Sequence, residues 1–367
     1  MSSLPIEQVV TRLSRLRQDI RAAGVDALVI TNLVNLRYLT GFNGTAGAAV
    51  ITGAQCHLLV DFRYVAAARE AIADAPIELA IVDGTYDDAL NAAVQASGAT
   101  AVGIEANSMT VSRFNRMATA LGAAVRLVPT ERVVERRRAV KDAHEVRILR
   151  EAGRRLSSVA RHVRSFVHPG RTELEIAADI DRAIRAAEFE RPAFETIVAS
   201  GPNGAHPHAR PGVRRVQEAD GVVLDFGGVY DGYCVDLTRT LQVGASAAEF
   251  VRLVRAVEDA RVAAIAAVRP GARPSEIDGA ARETLARHGL AEAFGHGTGH
   301  GLGLEVHEEP RISKLPGALP DEPVVPGMVF TIEPGAYVEG LGGVRIEDDV
   351  LVVDDGCEVL TDVPIDL

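Results

Sequence analysis

The sequence predicts two domains, an α/β domain in the first third of the chain and an α+β domain in the remainder. The 367 residues exceed the size of one typical domain. In the first third, segments with helical apolar spacing alternate with short apolar strands, which is typical of α/β domains. In the remainder, long helical segments are followed by glycine-punctuated strands, which favour a largely antiparallel sheet.

The N-terminal domain is predicted from the order of its elements. Residues 6–23 carry apolar residues at helical spacing and are followed by Gly24, a helix stop. DALVIT at 26–31 is a short apolar run that predicts a buried strand. Helices are predicted near Tyr64–Ala73 and Val111–Leu121. The further predicted strands are GAAVIT, CHLLVDF, ELAIVDG and AVGIEA.

The densely charged segment 131–150 has apolar residues at helical spacing and predicts a helix that links the domains. Beyond it, Thr172 and Glu175 have the spacing of a capping box, which begins a helix. The helices predicted in the second domain are at about 172–187, Ala247–Val268 and Ser275–Arg287. The predicted boundaries are therefore an N-terminal domain at 1–130, a linker helix at 131–150 and a second domain at 151–367.

Composition excludes several classes of protein. A net charge of -11 argues against a nucleic-acid partner, because such binding depends on Lys and Arg that neutralise phosphates. No apolar run approaches the roughly 20 residues that span a bilayer, so we expect no membrane association. The first residues form a charged helical pattern and not a signal peptide, and the three cysteines are scattered, which predicts a cytoplasmic protein without disulfides.

The segment GVVLDFGGVYDGYCVDLTRTLQV (221–243) predicts a hairpin that carries two acids. If the turn is centred between Tyr230 and Asp231, Asp225 lies directly opposite Asp236, with Cβ atoms about 5 Å apart. Two buried carboxylates at this distance repel, so a cation must bridge them or one must be protonated. This hairpin alone leaves open a pair of acids on a solvated face.

A second hairpin is predicted in FTIEPGAYVEGLGGVRIEDDVLVV (330–353), and it again pairs two acids. Glu333 and Glu347 are equidistant from Gly340, so a hairpin would place them opposite each other. Glu333 lies in an apolar run, and a buried glutamate needs a partner. We expect the adjacent acids Asp348 and Asp349 to face solvent.

The segment FGHGTGHGLGLEVHEEP (294–310) is rich in histidine, with glycine at every second position from Gly295 to Gly303. This spacing disfavours a helix and indicates extended backbone packed closely against a neighbour. In an extended segment His296 and His300 share one face. A dinucleotide-binding loop is rejected because the required strand and helix do not flank it. Core histidines remain an alternative, but a metal and catalytic cluster fits best.

Together these segments predict an oxygen-rich site that holds two divalent metal ions. Four carboxylates and one imidazole suit Mn²⁺, Co²⁺, Fe²⁺ or Zn²⁺ in a dinuclear arrangement. Two adjacent metals can deprotonate a water and polarise a carbonyl oxygen, which is hydrolytic chemistry. The predicted ligands are Asp225, Asp236, His300, Glu333 and Glu347.

The motifs of the second domain resemble those of the pita-bread metallopeptidases, which include proline dipeptidase, aminopeptidase P, methionine aminopeptidase and creatinase. NLRYLTGFNG (35–44) and DFRY (61–64) resemble the N-terminal domain shared by three of these, which methionine aminopeptidases usually lack. The resemblance implies a pita-bread (creatinase/aminopeptidase-like) fold for the second domain. It rests on Asp225-x10-Asp236, His296-Gly-Thr-Gly-His300, Val306-His307-Glu308, Glu333-Pro334-Gly335 and Arg345-Ile346-Glu347.

The resemblance implies roles for individual residues. Asp236 and Glu347 would contact both ions, and Glu333 would also act as general base. Three outer histidines would position the substrate and stabilise the oxyanion: His208, His296 and His307. His206, next to the first of these, is expected to play no part. Three further residues are assigned to the substrate side of the site: Arg311, Arg345 and Tyr337.

Two of these substrate-side residues have alternatives. Arg311 stands where prolidases place an arginine for the C-terminal carboxylate of a dipeptide, although a surface ion-pair arginine is the alternative. Arg345 is expected to order Glu347 or Tyr337 more than to touch substrate.

The implied function is a cytoplasmic exopeptidase that hydrolyses Xaa-Pro bonds with two divalent ions, Mn²⁺ favoured and Co²⁺ or Zn²⁺ as alternatives. Its partners would be proline-containing dipeptides or short peptides, and it would form a homodimer or a tetramer. Proline dipeptidase is favoured over aminopeptidase P, which acts on longer Xaa-Pro peptides. Creatinase and non-catalytic scaffold members are the remaining alternatives, and the complete ligand set argues against both.

Overall fold

The computed structural model describes residues 4–245, 247–314 and 321–365. The chain divides into two compact units, Met1–Arg138 and Ala139–Leu367. The segment 131–150, predicted as one linker helix, contains a short helix at Glu135–Ala139 and the start of a longer one at Ala143–Val163. The boundaries at residues 130 and 150 stay a prediction.

The first unit contains a mixed six-stranded sheet with the strand order β4-β3-β2-β1-β5-β6. The β1/β5, β3/β4 and β5/β6 pairs are parallel, whereas β1/β2 and β2/β3 are antiparallel. Its strands are β1 Ala27–Ile30, β2 Ala48–Thr52, β3 Cys56–Asp61, β4 Glu78–Val82, β5 Ala101–Glu105 and β6 Arg126–Thr130. Its helices are α1 Ile6–Ala22, α2 Leu33–Thr40, α3 Val65–Ala71, α4 Tyr86–Ser97 and α5 Val111–Leu121, and α6 Glu135–Ala139 spans the boundary to the second unit.

Helix α1 illustrates how apolar spacing and a terminal glycine determine the helices of the first unit. Val9, Leu13, Leu16 and Ile20 recur at helical spacing and are all buried, so one face of the helix packs inward. Gly24 follows the helix with φ +68°, a conformation that glycine adopts without strain. The predicted α/β class of this domain is confirmed.

In its described residues, the second unit combines four long helices with three antiparallel sheets. Its helices are α7 Ala143–Val163, α8 Glu173–Ala186, α9 Ala248–Ala267 and α10 Pro274–Arg287. The first sheet has the order β10-β9-β7, with β8 also paired to β9, and contains β7 Arg191–Pro192, β8 Ile197–Ser200, β9 Gly221–Tyr230 and β10 Tyr233–Gln242.

The other two sheets complete the second unit. The five-stranded sheet has the order β12-β11-β13-β16-β17, and β14 pairs with β15 in a short hairpin. These strands are β11 Gly299–Gly301, β12 Glu308–Ile312, β13 Val329–Ile332, β14 Gly335–Val338, β15 Gly342–Arg345, β16 Asp348–Val353 and β17 Gly356–Val359.

Each pair of long helices covers its own part of this β structure. Buried residues of α7 and α8 form one apolar cluster with β8, β9 and β10. Those of α9 and α10 form a second cluster with β12, β13 and β16. The predicted capping box is present at the start of α8, where Thr172 and Glu175 exchange hydrogen bonds. Among the described helices, none combines the length and apolar character needed to span a membrane.

Candidate metal centre

The β9–β10 hairpin carries Asp225 and Asp236, but its register differs from the prediction. Asp231 and Gly232 both have positive φ, as a two-residue turn of type I′ requires, so the turn is centred one residue later than predicted. Asp225 therefore pairs with Thr238, and Asp236 pairs with Gly227. The direct opposition of the two acids was wrong. They still share one face, because a change of two positions preserves the side to which a strand residue points.

The second acid pair lies between two short ladders that have the predicted register. Ile332 pairs with Asp348 in the β13–β16 ladder, and Gly335 pairs with Arg345 in the β14–β15 hairpin. Glu333 and Glu347 occupy the interval between these ladders.

Both glutamates donate main-chain hydrogen bonds to residues outside this hairpin. The main-chain N–H of Glu333 donates to Thr298 (2.7 Å), and that of Glu347 donates to Thr238 on β10 (3.1 Å). The second bond joins the two larger sheets at the site.

The acids that follow Glu347 are buried, so the prediction that they face solvent was wrong. Asp348 and Asp349 both lie on β16, which has a neighbouring strand on each side. Asp348 pairs with Arg239 and Arg261 at 2.7 Å each. Asp349 Oδ2 accepts the main-chain N–H of Asp236 at 2.9 Å, and burial raises the pKa of Asp349 well above its usual value. These two acids attach β16 to β10, the strand that carries Asp236.

His300 lies on β11, which is packed closely between two neighbouring strands. A Cβ atom on Gly299 would lie 1.8 Å from the carbonyl oxygen of Thr331, and one on Gly301 would lie 2.1 Å from that of Glu309. Glycine is therefore required at both positions. This explains why glycine occurs at every second position here, the pattern from which close packing was predicted.

Burial and one main-chain contact determine the protonation state and the tautomer of His300. Its Nδ1 lies 3.1 Å from the carbonyl oxygen of Gly301, so Nδ1 carries the proton and Nε2 offers a lone pair. Nε2 lies 3.4 Å from Glu333 Oε1. Burial lowers the pKa of His300 to about 3, so the imidazole is neutral at pH 7. A neutral imidazole is the form that binds a metal.

The five predicted ligands all line one cavity of about 740 Å³. Within the described part of the chain, Asp236, His300 and Glu347 offer ligand atoms that all lie within 4.8 Å of one another. One oxygen of Asp225 and one of Asp236 are buried without a hydrogen-bond partner among the described residues. Such oxygens are costly to bury unless a cation accepts them.

Burial also shifts the proton affinities of these acids. Removal from water raises the pKa of Asp236 and of Glu347 well above the ordinary carboxylate range, and neighbouring acids raise both further. Burial raises the pKa of Glu333 to about 7, and nearby Asp225 acts in the same direction. An acid cluster of this kind, with one neutral imidazole, fits divalent cations.

Arg345 orders one side of the cluster. Its guanidinium donates to Asp225 Oδ2, to the hydroxyl of Tyr337 (2.8 Å) and to Thr238 Oγ1 (3.3 Å). The expected contact with Tyr337 is therefore present. Glu347 is held instead by Thr238, whose hydroxyl donates to Glu347 Oε2 at 2.6 Å. Tyr337 does not line the cavity, and Arg345 connects its hydroxyl to Asp225.

The three outer histidines all line the cavity, but their surroundings differ. His296 Nδ1 lies 2.8 Å from the carbonyl oxygen of Gly297, so it carries the proton, and Nε2 accepts from Tyr337 at 2.9 Å. Burial lowers the pKa of His296 to about 4. His208 and His307 have exposed side chains on the cavity wall. His206, set aside on sequence grounds, is not among the lining residues.

Arg311 is an exposed residue of β12 on the cavity wall, paired with His300 in the β11–β12 ladder. Its guanidinium makes no hydrogen bond or ion pair to any described residue. The surface ion pair considered as an alternative is therefore absent within the described chain.

Sequence reasoning missed one acid that supports the site from behind. Asp278 on α10 is fully buried, and its Oδ1 accepts both the main-chain N–H (3.1 Å) and the hydroxyl (2.8 Å) of Thr298. Its Oδ2 accepts from Arg282 at 2.7 Å. The signal was available, because Asp278 lies on the same helical face as the apolar Ala281 and Leu285.

Two known families match this sequence. Metallopeptidase family M24 matches residues 147–354, and the Creatinase/Prolidase N-terminal domain matches residues 12–140. The chain belongs to metallopeptidase family M24. The resemblance inferred from the motifs is confirmed, and the protein is an enzyme of this family with the pita-bread fold in its second unit. Membership implies the use of divalent metal.

Relatives of this M24 metallopeptidase extend over nearly its whole length. Probable dipeptidase PepE of Mycobacterium bovis is 40% identical over 353 residues, which are 94% of this chain and 92% of the relative. An Xaa-Pro dipeptidase from Bacillus anthracis superposes with a TM-score of 0.93 at 34% identity, covering 98% of this chain and 99% of that one. An X-Pro aminopeptidase from Thermotoga maritima superposes with a TM-score of 0.86 at 33% identity, covering 95% and 98%.

Proposed function

We propose that this M24 metallopeptidase is an Xaa-Pro dipeptidase. The observation that carries the proposal is the guanidinium of Arg311, which is unpaired among the described residues and lies on the wall of the cavity that the acid cluster also lines. A dipeptide has its carboxylate close to the scissile bond, so a cation near the reacting centre favours dipeptides over longer chains. Relatives named as dipeptidases agree with this choice.

The acid cluster would hold two divalent ions, with Mn²⁺ favoured and Co²⁺ or Zn²⁺ as alternatives. Four carboxylates and one neutral imidazole supply the oxygen and nitrogen donors that these ions accept. When bound, the ions supply Lewis acidity and lower the pKa of water. The proposed ligands are Asp225, Asp236, His300, Glu333 and Glu347.

Glu333 is the proposed general base. Its side chain is 17% exposed and lines the cavity, so a water in the site can reach its carboxylate. A carboxylate in this position can accept a proton from water and return it during the reaction. Glu333 would take a proton from the attacking water and deliver it to the proline nitrogen as the peptide bond breaks.

The outer histidines would divide their roles. His296 uses Nδ1 for Gly297 and Nε2 for Tyr337, so we assign it to orienting Tyr337 beside Arg345. His208 and His307 project from exposed positions on the cavity wall. We assign these two to the substrate carbonyl, where an N–H donor stabilises the developing oxyanion.

The competing function is that of an aminopeptidase P, which releases the first residue of longer Xaa-Pro peptides. One structural neighbour, the Thermotoga maritima X-Pro aminopeptidase, favours this alternative. Rates on Xaa-Pro and Xaa-Pro-Yaa, measured after metal is returned to stripped protein, decide between them. A dipeptidase cleaves the dipeptide faster, whereas faster cleavage of the tripeptide would establish the aminopeptidase.

We further propose a cytoplasmic homodimer, or a tetramer, that acts on proline-containing dipeptides. The net charge of -11 supports the expectation that nucleic acid is not a partner, because phosphate contacts need cationic surfaces. Light scattering coupled to size exclusion tests the oligomeric state. A monomer at micromolar concentration would overturn that part of the proposal.

A further inference from the structure

We propose that Glu173 is a positioning residue that fixes one wall of the substrate cavity and thereby sets substrate affinity. It is the first residue of α8, and its side chain lies outside the cavity. It acts on residues 200–212, which we call the cavity loop. This inference rests on the proposed function only because substrate affinity is measured on an Xaa-Pro dipeptide.

The carboxylate of Glu173 is fully buried, and its hydrogen bonds reach both ends of the cavity loop. Oε1 accepts from the main-chain N–H (2.8 Å) and the hydroxyl (2.7 Å) of Ser200 at the start. Oε2 accepts from the main-chain N–H of Gly212 at the end (3.0 Å). The side-chain amide of Asn203 donates to both oxygens at 3.0 and 3.1 Å. One carboxylate therefore closes the loop at its base.

The middle of the cavity loop forms part of the cavity wall. The lining residues that it contributes are Pro207, His208, Ala209, Arg210 and Pro211. None of these five residues is among the hydrogen-bond partners of the Glu173 carboxylate. Displacement of the loop would move His208 away from the acid cluster while leaving the metal ligands on their strands.

The cavity loop has a second attachment on the side of the metal centre. Arg345 Nη1 donates to the carbonyl oxygen of Pro207 at 3.1 Å. A Cβ atom on Gly343 would lie 2.0 Å from the carbonyl oxygen of Gly204, so loop and β15 are in close backbone contact. Away from the metal ligands, Glu173 is the anchor that joins both ends of the loop. The main-chain N–H of Leu174 also donates to Gly212 (3.1 Å), and Arg214 donates to the hydroxyl of Ser200 (2.5 Å), but each of these reaches one end only.

Loss of the Glu173 anchor should change the kinetic constants in a way that distinguishes a displaced cavity loop from a generally destabilised enzyme. If the loop occupies its binding-competent conformation only a fraction of the time, apparent affinity falls by that fraction. Substrate binding selects the competent conformation, so the bound complex reacts at its normal rate. The expected signature is a raised KM with a nearly unchanged kcat and an unchanged metal content.

The test compares Glu173→Gln with Glu175→Gln. The amide of glutamine presents an N–H₂ group to donors, so it cannot satisfy Ser200, Asn203 and Gly212 together. Glu175 lies in the same first turn and caps the helix through Thr172 without touching the cavity loop. It therefore controls for weakening of α8. Metal content, KM and kcat on an Xaa-Pro dipeptide, and hydrogen exchange of residues 200–212 are measured for both.

For Glu173→Gln we expect faster exchange at Ser200 and Gly212 and a KM raised roughly ten-fold, with kcat within a factor of about three. Glu175→Gln should leave KM and exchange in the loop at wild-type values. Asn203→Ala, which removes one of the donors and no buried charge, should raise KM in the same direction by a smaller factor. It serves in place of Glu173→Gln if that variant does not fold.

A wild-type KM in a variant whose loop exchanges faster overturns the proposal, and so does loss of metal together with a fall in kcat. An equal rise in KM for Glu175→Gln overturns it as well. If the wild type does not hydrolyse Xaa-Pro, the proposed function fails, and the role of Glu173 in substrate affinity fails with it. Exchange at Gly212 then decides separately whether Glu173 holds the loop.

Discussion

The main-chain carbonyl of Glu347 accepts a 2.6 Å hydrogen bond from Arg239, whose side chain is fully buried. The same guanidinium donates to the carbonyl oxygens of Val363 (2.8 Å) and Pro364 (3.2 Å) and pairs with Asp348 (2.7 Å). A cation on β10 therefore connects the segment after β17 to the backbone of a proposed metal ligand.

The first prediction concerns this buried arginine. Arg239→Met removes the charge and leaves several buried acceptors unpaired, although Arg261 still contacts Asp348. We expect a loss of about 3 kcal/mol in the free energy of unfolding, measured with urea. Arg150→Met, which breaks an exposed pair with Glu358, is the matched control and should cost less than about 1 kcal/mol. Equal losses in the two variants would contradict the assignment.

The second prediction concerns the proposed general base. Glu333→Gln cannot accept a proton from water, so kcat should fall by roughly 10²–10⁴-fold. Metal content is measured on the same sample by elemental analysis, because the amide oxygen can still serve as a ligand. A metal-loaded variant with near wild-type kcat would place the base elsewhere.

The third prediction is that metal binding releases protons. Burial raises the pKa values of Asp236 and Glu347 well above their usual values and that of Glu333 to about 7, so Glu333 in the metal-free site is about half protonated at pH 7. A divalent ion must displace the bound protons, so its apparent affinity rises with pH as these groups lose their protons unaided. Calorimetry in two buffers of different ionisation enthalpy counts the protons. Heats that are equal in both buffers would contradict a protonated site.

The same shifts set the pH dependence of stability in the metal-free protein. A carboxylate whose pKa is higher in the folded state binds more protons there than in the unfolded chain. Its unfavourable contribution therefore grows as pH rises from about 4.5 towards 7. We expect metal to raise the midpoint of urea unfolding more at pH 7.5 than at pH 5.5. A metal effect that is the same at both values would count against buried, proton-binding acids.

The local features of the fold could be predicted from sequence, whereas those set by tertiary packing could not. The capping box of Thr172 and the stop at Gly24 depend on neighbours in sequence, and both are present. The predicted turn centre was one residue too early, which moved the partner of Asp225 by two residues, from Asp236 to Thr238. The pair Asp231-Gly232, which has positive φ at both turn positions, was not distinguished from the adjacent pair Tyr230-Asp231. Asp348 and Asp349 were misplaced because their burial depends on distant arginines and strands.

A further prediction separates the proposed ligand His300 from the outer histidines. His300→Ala should lose metal, because Nε2 lies among the acids of the cluster. His208→Ala should keep its metal and lose activity, since its ring is exposed on the cavity wall. His296→Ala should behave in the same way through Tyr337. Metal loss in either outer variant that matches His300→Ala would make the ligand assignment wrong.

The last prediction tests the residue on which substrate class depends. If Arg311 pairs with the carboxylate of a dipeptide, Arg311→Ala should raise KM for Xaa-Pro and leave Xaa-Pro-Yaa nearly unchanged. A charge-assisted hydrogen bond contributes about 1.5–3 kcal/mol, so kcat/KM should fall roughly ten- to a hundred-fold. Arg311→Lys should recover part of the loss, because a single ammonium cannot form a bidentate pair.

The matched control for Arg311 is Arg210, which also lines the cavity but lies 3.7 Å from Glu195 in a highly exposed pair. Arg210→Ala should change the preference between dipeptide and tripeptide by less than about three-fold, because an exposed pair contributes little. An aminopeptidase P must leave room for further residues after proline, so in that enzyme Arg311→Ala would be silent and the wild type would favour the tripeptide. These two results together would replace the dipeptidase with the aminopeptidase. A selective loss for the dipeptide in Arg311→Ala alone would establish that this guanidinium reads the substrate's C-terminus.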